Sequence, residues 1–202
     1  QDNSTGGWPN LVTRKMAGSS ILKPGWYSAM GQGHALSVLA RAYYLEKDEK
    51  YLKIAAKALN PFKVASQNHG LKAMFLDEVP WYEEYPTSPP IFVLNGFIYA
   101  LIGLYDLHTL APSEYSEGAY ELYVQGITSL KKILMAFDTG SGTTYDLRHI
   151  TLGIAPKLAR WDYHATHISQ LYLLSTIDKD QIFSSTAKRW LGYMNGKRAS
   201  HN

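Results

Sequence analysis

One order of segments recurs three times along this chain, and it constrains the fold more than any other feature. An aromatic loop leads into an apolar helical stretch, then a turn, then a helical stretch with a single apolar face. The loops are Pro24-Gly25-Trp26-Tyr27, Trp81-Tyr82-Glu83-Glu84-Tyr85-Pro86 and Arg160-Trp161-Asp162-Tyr163-His164. Helical hairpins repeated in this way bury one another's faces when they stack, and their equivalent loops gather at one end. The expected fold is all-α: helical hairpins in a partial α/α toroid, barrel-like, with short β-strands in the connecting loops. Three pairs make only part of a ring, so further helices or another domain would complete it. Residues 1–202 read as one domain.

Local signals set the expected boundaries. Leu36, Leu39, Tyr43 and Tyr44 lie at helical spacing over 28–45, with Ser28 as the cap. Asp48 caps a second helix that carries Leu52, Ala55 and Leu59 and is stopped by Asn60-Pro61. Alternation at Leu71, Ala73 and Phe75 predicts a short strand. Ser88 is expected to begin an inner helix, apolar nearly all round, with Pro89 and Pro90 in its first turn. An amphipathic helix is expected over 113–137, a second short strand over 143–147, and two last helices over 163–176 and 180–194.

Composition narrows the classes of partner. The chain carries 15 Tyr and 5 Trp against 6 Phe, an excess of aromatics with a polar handle. Such rings suit a wet, hydrogen-bonding ligand such as a sugar as well as a helical core. A net charge of +3 without any long Lys/Arg run suits a polyanion but not nucleic acid. The absence of cysteine excludes disulfides and thiolate zinc sites. No stretch has the length of a membrane span, and the first residues do not read as a signal peptide. Asn3-Ser4-Thr5 fits a glycosylation sequon, weak support for a secretory route.

The polar groups of the three loops are the candidates for chemistry, because loops on a rigid scaffold carry function. Glu83 and Glu84 lie among rings that can desolvate a carboxylate and raise its pKa, as a base near neutrality requires. Tyr145 and Arg148 are three residues apart. Arg160, Tyr163, His164 and His167 form a second polar cluster, with Tyr163 and His167 on one helix face. The histidine pair lacks a third ligand at helical spacing, so no metal site is expected. Tyr, Glu and Arg without metal or thiol can remove a proton α to a sugar carboxylate. Arg then holds the charge that develops, and a tyrosine returns a proton on the other face. Glycoside hydrolysis, which uses paired carboxylates, is a further option at this level.

Longer motifs choose between these options. Pro24-Gly25-Trp26-Tyr27-Ser28-Ala29-Met30, Trp81-Tyr82-Glu83-Glu84-Tyr85-Pro86 and Phe92-Val93-Leu94-Asn95-Gly96-Phe97 closely resemble the heparan sulfate glucuronyl C5-epimerases. So do Leu101-Ile102-Gly103-Leu104-Tyr105-Asp106-Leu107, Tyr145-Asp146-Leu147-Arg148-His149 and Ala159-Arg160-Trp161-Asp162-Tyr163-His164. The match runs from about Thr5 to Asn202, with small departures at Gly31 and His34. The resemblance implies the C-terminal α/α catalytic domain of an enzyme that converts D-glucuronate to L-iduronate within an anionic N-sulfated glycosaminoglycan. It implies no cofactor or metal and no nucleic-acid partner. A homodimer held in the Golgi lumen by an N-terminal anchor, with β-rich domains before this region, is implied for the full-length protein. Glu84 and Tyr163 would exchange protons with C5, and Tyr85 and Tyr145 would be catalytic or positioning. Arg148 would bind the uronate carboxylate, with Asn95, Arg160 and His164 as further substrate contacts. The alternatives are a uronate polysaccharide lyase and a non-enzymatic heparan-binding module, the latter hinted at only by Lys188-Arg189 and Lys197-Arg198.

Overall fold

The computed structural model describes residues 1–200. Its class is all-α with one small antiparallel sheet. The helices are α1 (Ala29–Glu46), α2 (Lys50–Ala58), α3 (Asn60–Lys63), α4 (Leu94–Leu110), α5 (Ser113–Ile133), α6 (Arg148–Thr151), α7 (Trp161–Ile177) and α8 (Gln181–Met194). Strands β1 (Lys72–Phe75) and β2 (Val79–Tyr82) pair with Ala73 opposite Trp81. The three hairpins are α1–α2, α4–α5 and α7–α8, and α4 packs on both α1 and α7.

Capping residues place several helix starts where the sequence put them. The Ser28 hydroxyl accepts the Gly31 amide at 3.3 Å, and the Asp180 carboxylate accepts the Ile182 amide at 3.0 Å. Asp48 accepts the Lys50 amide at 2.9 Å, although the first helical residue of α2 comes two positions later. Asn60-Pro61 does end α2, but it also opens the single turn α3, where proline is tolerated at the start. The amphipathic helix runs as expected and tightens into a 3₁₀ turn at Leu134–Phe137.

Three expectations need correction. The inner helix α4 begins at Leu94, not Ser88. The residue before a proline is pushed out of the α region, and Phe92 adopts a positive φ of 59°, so helix cannot start until both are passed. The span 143–147 forms no ladder; Thr143 and Thr144 make only isolated bridges, to Asp138 and Leu158. Strand β2 was hidden inside the second aromatic loop. It returns from β1 through Leu76 and Asp77, both at positive φ, and its burial comes from Trp81 and Tyr82.

The core gathers on α4. Leu94, Phe97, Ile98, Leu101, Leu104 and Leu107 are all fully buried, and Trp81 stacks on Phe97 with ring centroids 3.6 Å apart. Each such side chain contributes about 1.5–3 kcal/mol by leaving water. On the α1 side the backbones themselves meet. Gly33 faces Tyr99 and Ala100, and a methyl at Gly103 would fall on the Gly33 carbonyl. Further along, the Ser37 hydroxyl and Arg41 both donate to Asp106, so the two helices run parallel. Gly103→Ala should therefore cost on the order of 1–3 kcal/mol in denaturant unfolding, the range for overpacking a tight core. An unchanged midpoint would mean that α1 and α4 do not touch through their backbones.

Candidate active site

The second aromatic loop is held from both sides before any ligand arrives. The Glu83 amide donates to the Leu71 carbonyl at 2.7 Å, and the Glu83 carbonyl accepts the Ala29 amide at 3.0 Å. The loop is thereby tied to the strand hairpin and to the N-terminus of α1. The two adjacent carboxylates then diverge. Glu83 is fully buried and accepts the Phe92 amide at 3.0 and 3.3 Å, bracing the strained turn ahead of α4. Burial pushes its carboxyl up to about 8, against the pull of the Phe92 and Ile91 amides. Its role is structural.

Glu84 is also buried, 3% exposed, but its Oε2 has no hydrogen-bond partner among the described residues. It lies against Gly96 in the first turn of α4, where any side chain would collide with the carboxylate. Desolvation raises its pKa, while Tyr85, Arg14 and Lys157 pull it back. A buried carboxylate with a free lone pair and a raised pKa is the form a base near neutrality takes.

Two tyrosines, Tyr85 and Tyr145, stand by this carboxylate, and a third, Tyr163, stands beside Tyr145. Tyr85 and Tyr145 are buried and Tyr163, in the first turn of α7, is half-buried. Tyr145 meets Tyr163 edge-on, with centroids 4.9 Å apart. Burial, and then the charge of Glu84, push the Tyr85 and Tyr145 phenols up. Tyr145 is fixed by its backbone: its amide donates to the Lys157 carbonyl at 2.7 Å, and its carbonyl accepts the Leu94 amide at 3.2 Å. Those bonds join the start of α4 to the segment before α7, which is why residues far apart in sequence converge here.

Tyr145 and Tyr163 open onto a cleft of about 430 Å³ whose other charged walls are Arg14, Lys15, Lys157 and Arg160. Arg14 donates to the Tyr85 hydroxyl at 3.3 Å and lies 5.2 Å from that ring's centre. Lys157 Nζ sits 3.9 Å from the centre of the Tyr145 ring. Burial is the main cause of a lowered Lys157 pKa, although much of the side chain still reaches solvent. Among the described residues neither Arg14 nor Lys157 has a carboxylate within ion-pair distance. A larger cleft of about 520 Å³ beside Trp26, Lys23 and His69 has neither Tyr145 nor Tyr163 in its walls, so the chemistry is assigned to the smaller one, which Glu84 adjoins through Tyr145 without lining it.

Other residues singled out in the sequence are placed differently. Arg160 does line the cleft, exposed, with Asp162 at 2.9 Å. Asn95 is buried next to Gly96; its carbonyl accepts the Gln170 amide at 2.9 Å and its Oδ1 is unpartnered. Arg148 is not a free cation. It is 5% exposed, its Nε and Nη2 grip Asp146 at 2.8–3.0 Å, and Nη1 donates to the Ala17 carbonyl at 2.7 Å. The expected carboxylate fork is thus already filled by an internal carboxylate that is itself fully buried.

His164, expected as a substrate contact, is likewise buried and hydrogen-bonded within the domain. Its Nε2 lies 3.0 Å from the Trp190 carbonyl, which can only accept, so that nitrogen carries the proton. In the neutral ring Nδ1 accepts the Thr143 hydroxyl at 2.9 Å, and the same oxygen accepts from His167 Nδ1 at 3.0 Å. Burial then pushes His167 down to about 3 and leaves its Nε2 unpartnered. The pair locks α7 to α8, and no metal-binding cluster is present among the described residues.

Arg14, Lys15, Lys157, Asp146 and Gly96 were missed as site residues. The lysines and Arg14 stand in irregular segments without periodicity, and only their closeness to aromatic motifs could have pointed to them.

These features define a helical-hairpin domain whose loop end presents a cationic cleft over a buried acid and tyrosine cluster. Residues 1–192 match the family model described as D-glucuronyl C5-epimerase C-terminus. The D-glucuronyl C5-epimerase of Caenorhabditis elegans is 53% identical over 210 residues, covering 99% of this chain and 34% of that protein. An uncharacterized protein of Methanocaldococcus jannaschii is 32% identical over 175 residues, covering 84% of this chain and 53% of that protein. The chain belongs to the D-glucuronyl C5-epimerase C-terminal family. It spans about a third of the length of the nematode relative and about half of the archaeal one.

Proposed function

We propose that this domain is the catalytic part of a carbohydrate isomerase that inverts C5 of D-glucuronate to L-iduronate within an N-sulfated glycosaminoglycan. The observation that carries the reading is Glu84: buried, partly unpartnered, and set behind Tyr145, which lines a cleft whose cations Arg14 and Lys157 have no ion pair among the described residues.

Each chemical need of the reaction has a residue for it. The C5 hydrogen is α to a carboxylate, so breaking the C–H bond delocalises an electron pair into that carboxylate as an enolate. Arg14 and Lys157, without an ion pair among the described residues, can receive this charge in a partly desolvated place where the attraction is stronger than in water. Glu84 and Tyr163 serve as the two proton-exchanging groups, one toward each face of C5. Tyr85 and Tyr145 lie between them and hold protons tightly because burial disfavours their phenolates. A proton returned to the opposite face completes inversion, with one C–H bond broken and one formed and no net redox change. No organic cofactor or metal has a step to perform.

For the full-length protein the same reading adds a homodimer in the Golgi lumen, anchored outside this region. Neighbouring helices would complete the row of hairpins as an α/α toroid.

Iduronate formed by the full-length protein in D₂O should carry deuterium at C5, read by mass spectrometry and proton NMR. Iduronate formed without deuterium would rule out the carbanion route. An unsaturated uronate absorbing in the ultraviolet would mark a lyase, which makes the same carbanion and expels the C4 substituent.

A further inference from the structure

Two basic dipeptides outside the acid–tyrosine cluster come together in the fold. Lys188-Arg189 on α8 and Lys197-Arg198 beyond its end share the walls of a cleft of about 520 Å³. Complementing the helix dipole does not account for them, because α8 has no basic residue in its last turn.

The arrangement is built, not draped. After Met194 the chain reverses through Gly196 at φ +81°, and the Lys197 amide donates back to the Gly192 carbonyl at 3.0 Å. The reversal lays the Lys197 stem over Gly192, which has no side chain in the way. The Ala199 amide then pins the tail to the Gly140 carbonyl at 2.7 Å. Arg189 is oriented through Nε alone, toward the Tyr193 hydroxyl at 2.7 Å and Asp138 at 2.8 Å. Asp138 is itself held by Trp190 Nε1 and the Tyr193 hydroxyl. The terminal nitrogens of Arg189 have no partner among the described residues, and no acidic residue lines the cleft. Lys188, Lys197 and Arg198 have no acid within ion-pair distance among the described residues.

Position adds to charge. The His164–Trp190 bond joins the first turn of α7 to the last turns of α8, so this cleft opens at the same end of the hairpin as Tyr163. We infer that it is an exosite for sulfated sugars of the same anionic chain whose uronate enters the acid–tyrosine cleft. The choice of ligand rests on the proposed function, whereas the cationic cleft stands without it. Sulfate groups keep their charge across physiological pH and match three cations that no acid among the described residues neutralises.

The test compares two triple variants of the full-length protein, each losing three positive charges. K188S/K197S/R198S removes the exosite cations, and K47S/K50S/K53S removes three lysines near the α1–α2 turn. Binding of a heparin-derived octasaccharide is measured by calorimetry. The exosite variant should bind roughly ten-fold more weakly, from three surface charge contacts, with a shallower salt dependence. The control should bind like wild type, and turnover of a short N-sulfated oligosaccharide should be unchanged in both. Equal binding by the exosite variant and wild type, or equal weakening in the control, would overturn the inference. Capture on phosphatidylserine vesicles through these residues, with octasaccharide binding intact, would overturn it in favour of a membrane contact. Binding is read without turnover, so loss of the epimerase reading and loss of the exosite are separate outcomes.

Discussion

Glu84→Gln should lower turnover by about 10²- to 10⁴-fold, the usual weight of a positioned acid–base group, while changing the Michaelis constant little. The substitution keeps the shape of the side chain against Gly96 and removes only the capacity to take a proton. Stability should hardly move, because Oε2 has no hydrogen bond to lose. The pH profile adds a second readout. Burial raises the Glu84 pKa, and only the ionised form can act as base. Wild-type turnover should therefore rise with pH through a value above that of an ordinary carboxylate, and this limb should vanish in the variant. Neighbouring Glu83 is a built-in comparison, since its oxygens are committed to the turn before α4. A Glu84→Gln enzyme with wild-type turnover would remove Glu84 from the chemistry.

The fold was legible wherever a local rule acted alone. The caps at Ser28 and Asp180 and the long amphipathic face of α5 need only neighbouring residues to be recognised. What failed was decided by distant contacts. The start of α4 depends on Glu83 holding the Phe92 amide, and β2 owes its ladder to β1. The approach of Tyr163 to the Glu84–Tyr85 loop followed from the loops gathering at one end, but Tyr145, which lies in none of those loops, is brought in by its backbone bonds to Lys157 and Leu94. Their electrostatics did not follow. Whether a carboxylate is a free base or a brace, and whether an arginine is open or filled, depends on partners that sequence spacing does not reveal. Glu83 beside Glu84, and Arg148 beside Asp146, are the two cases.

Arg148→Met should destabilise the domain by about 3–5 kcal/mol, the cost of stranding a buried charge when its partner is removed. Asp146 is fully buried and receives three hydrogen bonds from the Arg148 side chain. Without them the buried carboxylate keeps only the Arg148 backbone amide as a donor, and Ala17 loses the donor that ties the N-terminal segment to α6. Arg148→Lys should recover only part of the loss, because one ammonium cannot reproduce the two-pronged grip. Replacing both members, as Arg148→Met with Asp146→Leu, should be less harmful than Arg148→Met alone, since the stranded charge is gone as well. Turnover in these variants should fall in step with the folded fraction and recover at temperatures where the domain stays folded. The opposite pattern would be a melting curve like that of wild type with turnover abolished in Arg148→Met. That result would mean that Arg148 leaves Asp146 to take the uronate carboxylate, and that the buried pair is a resting state of the site.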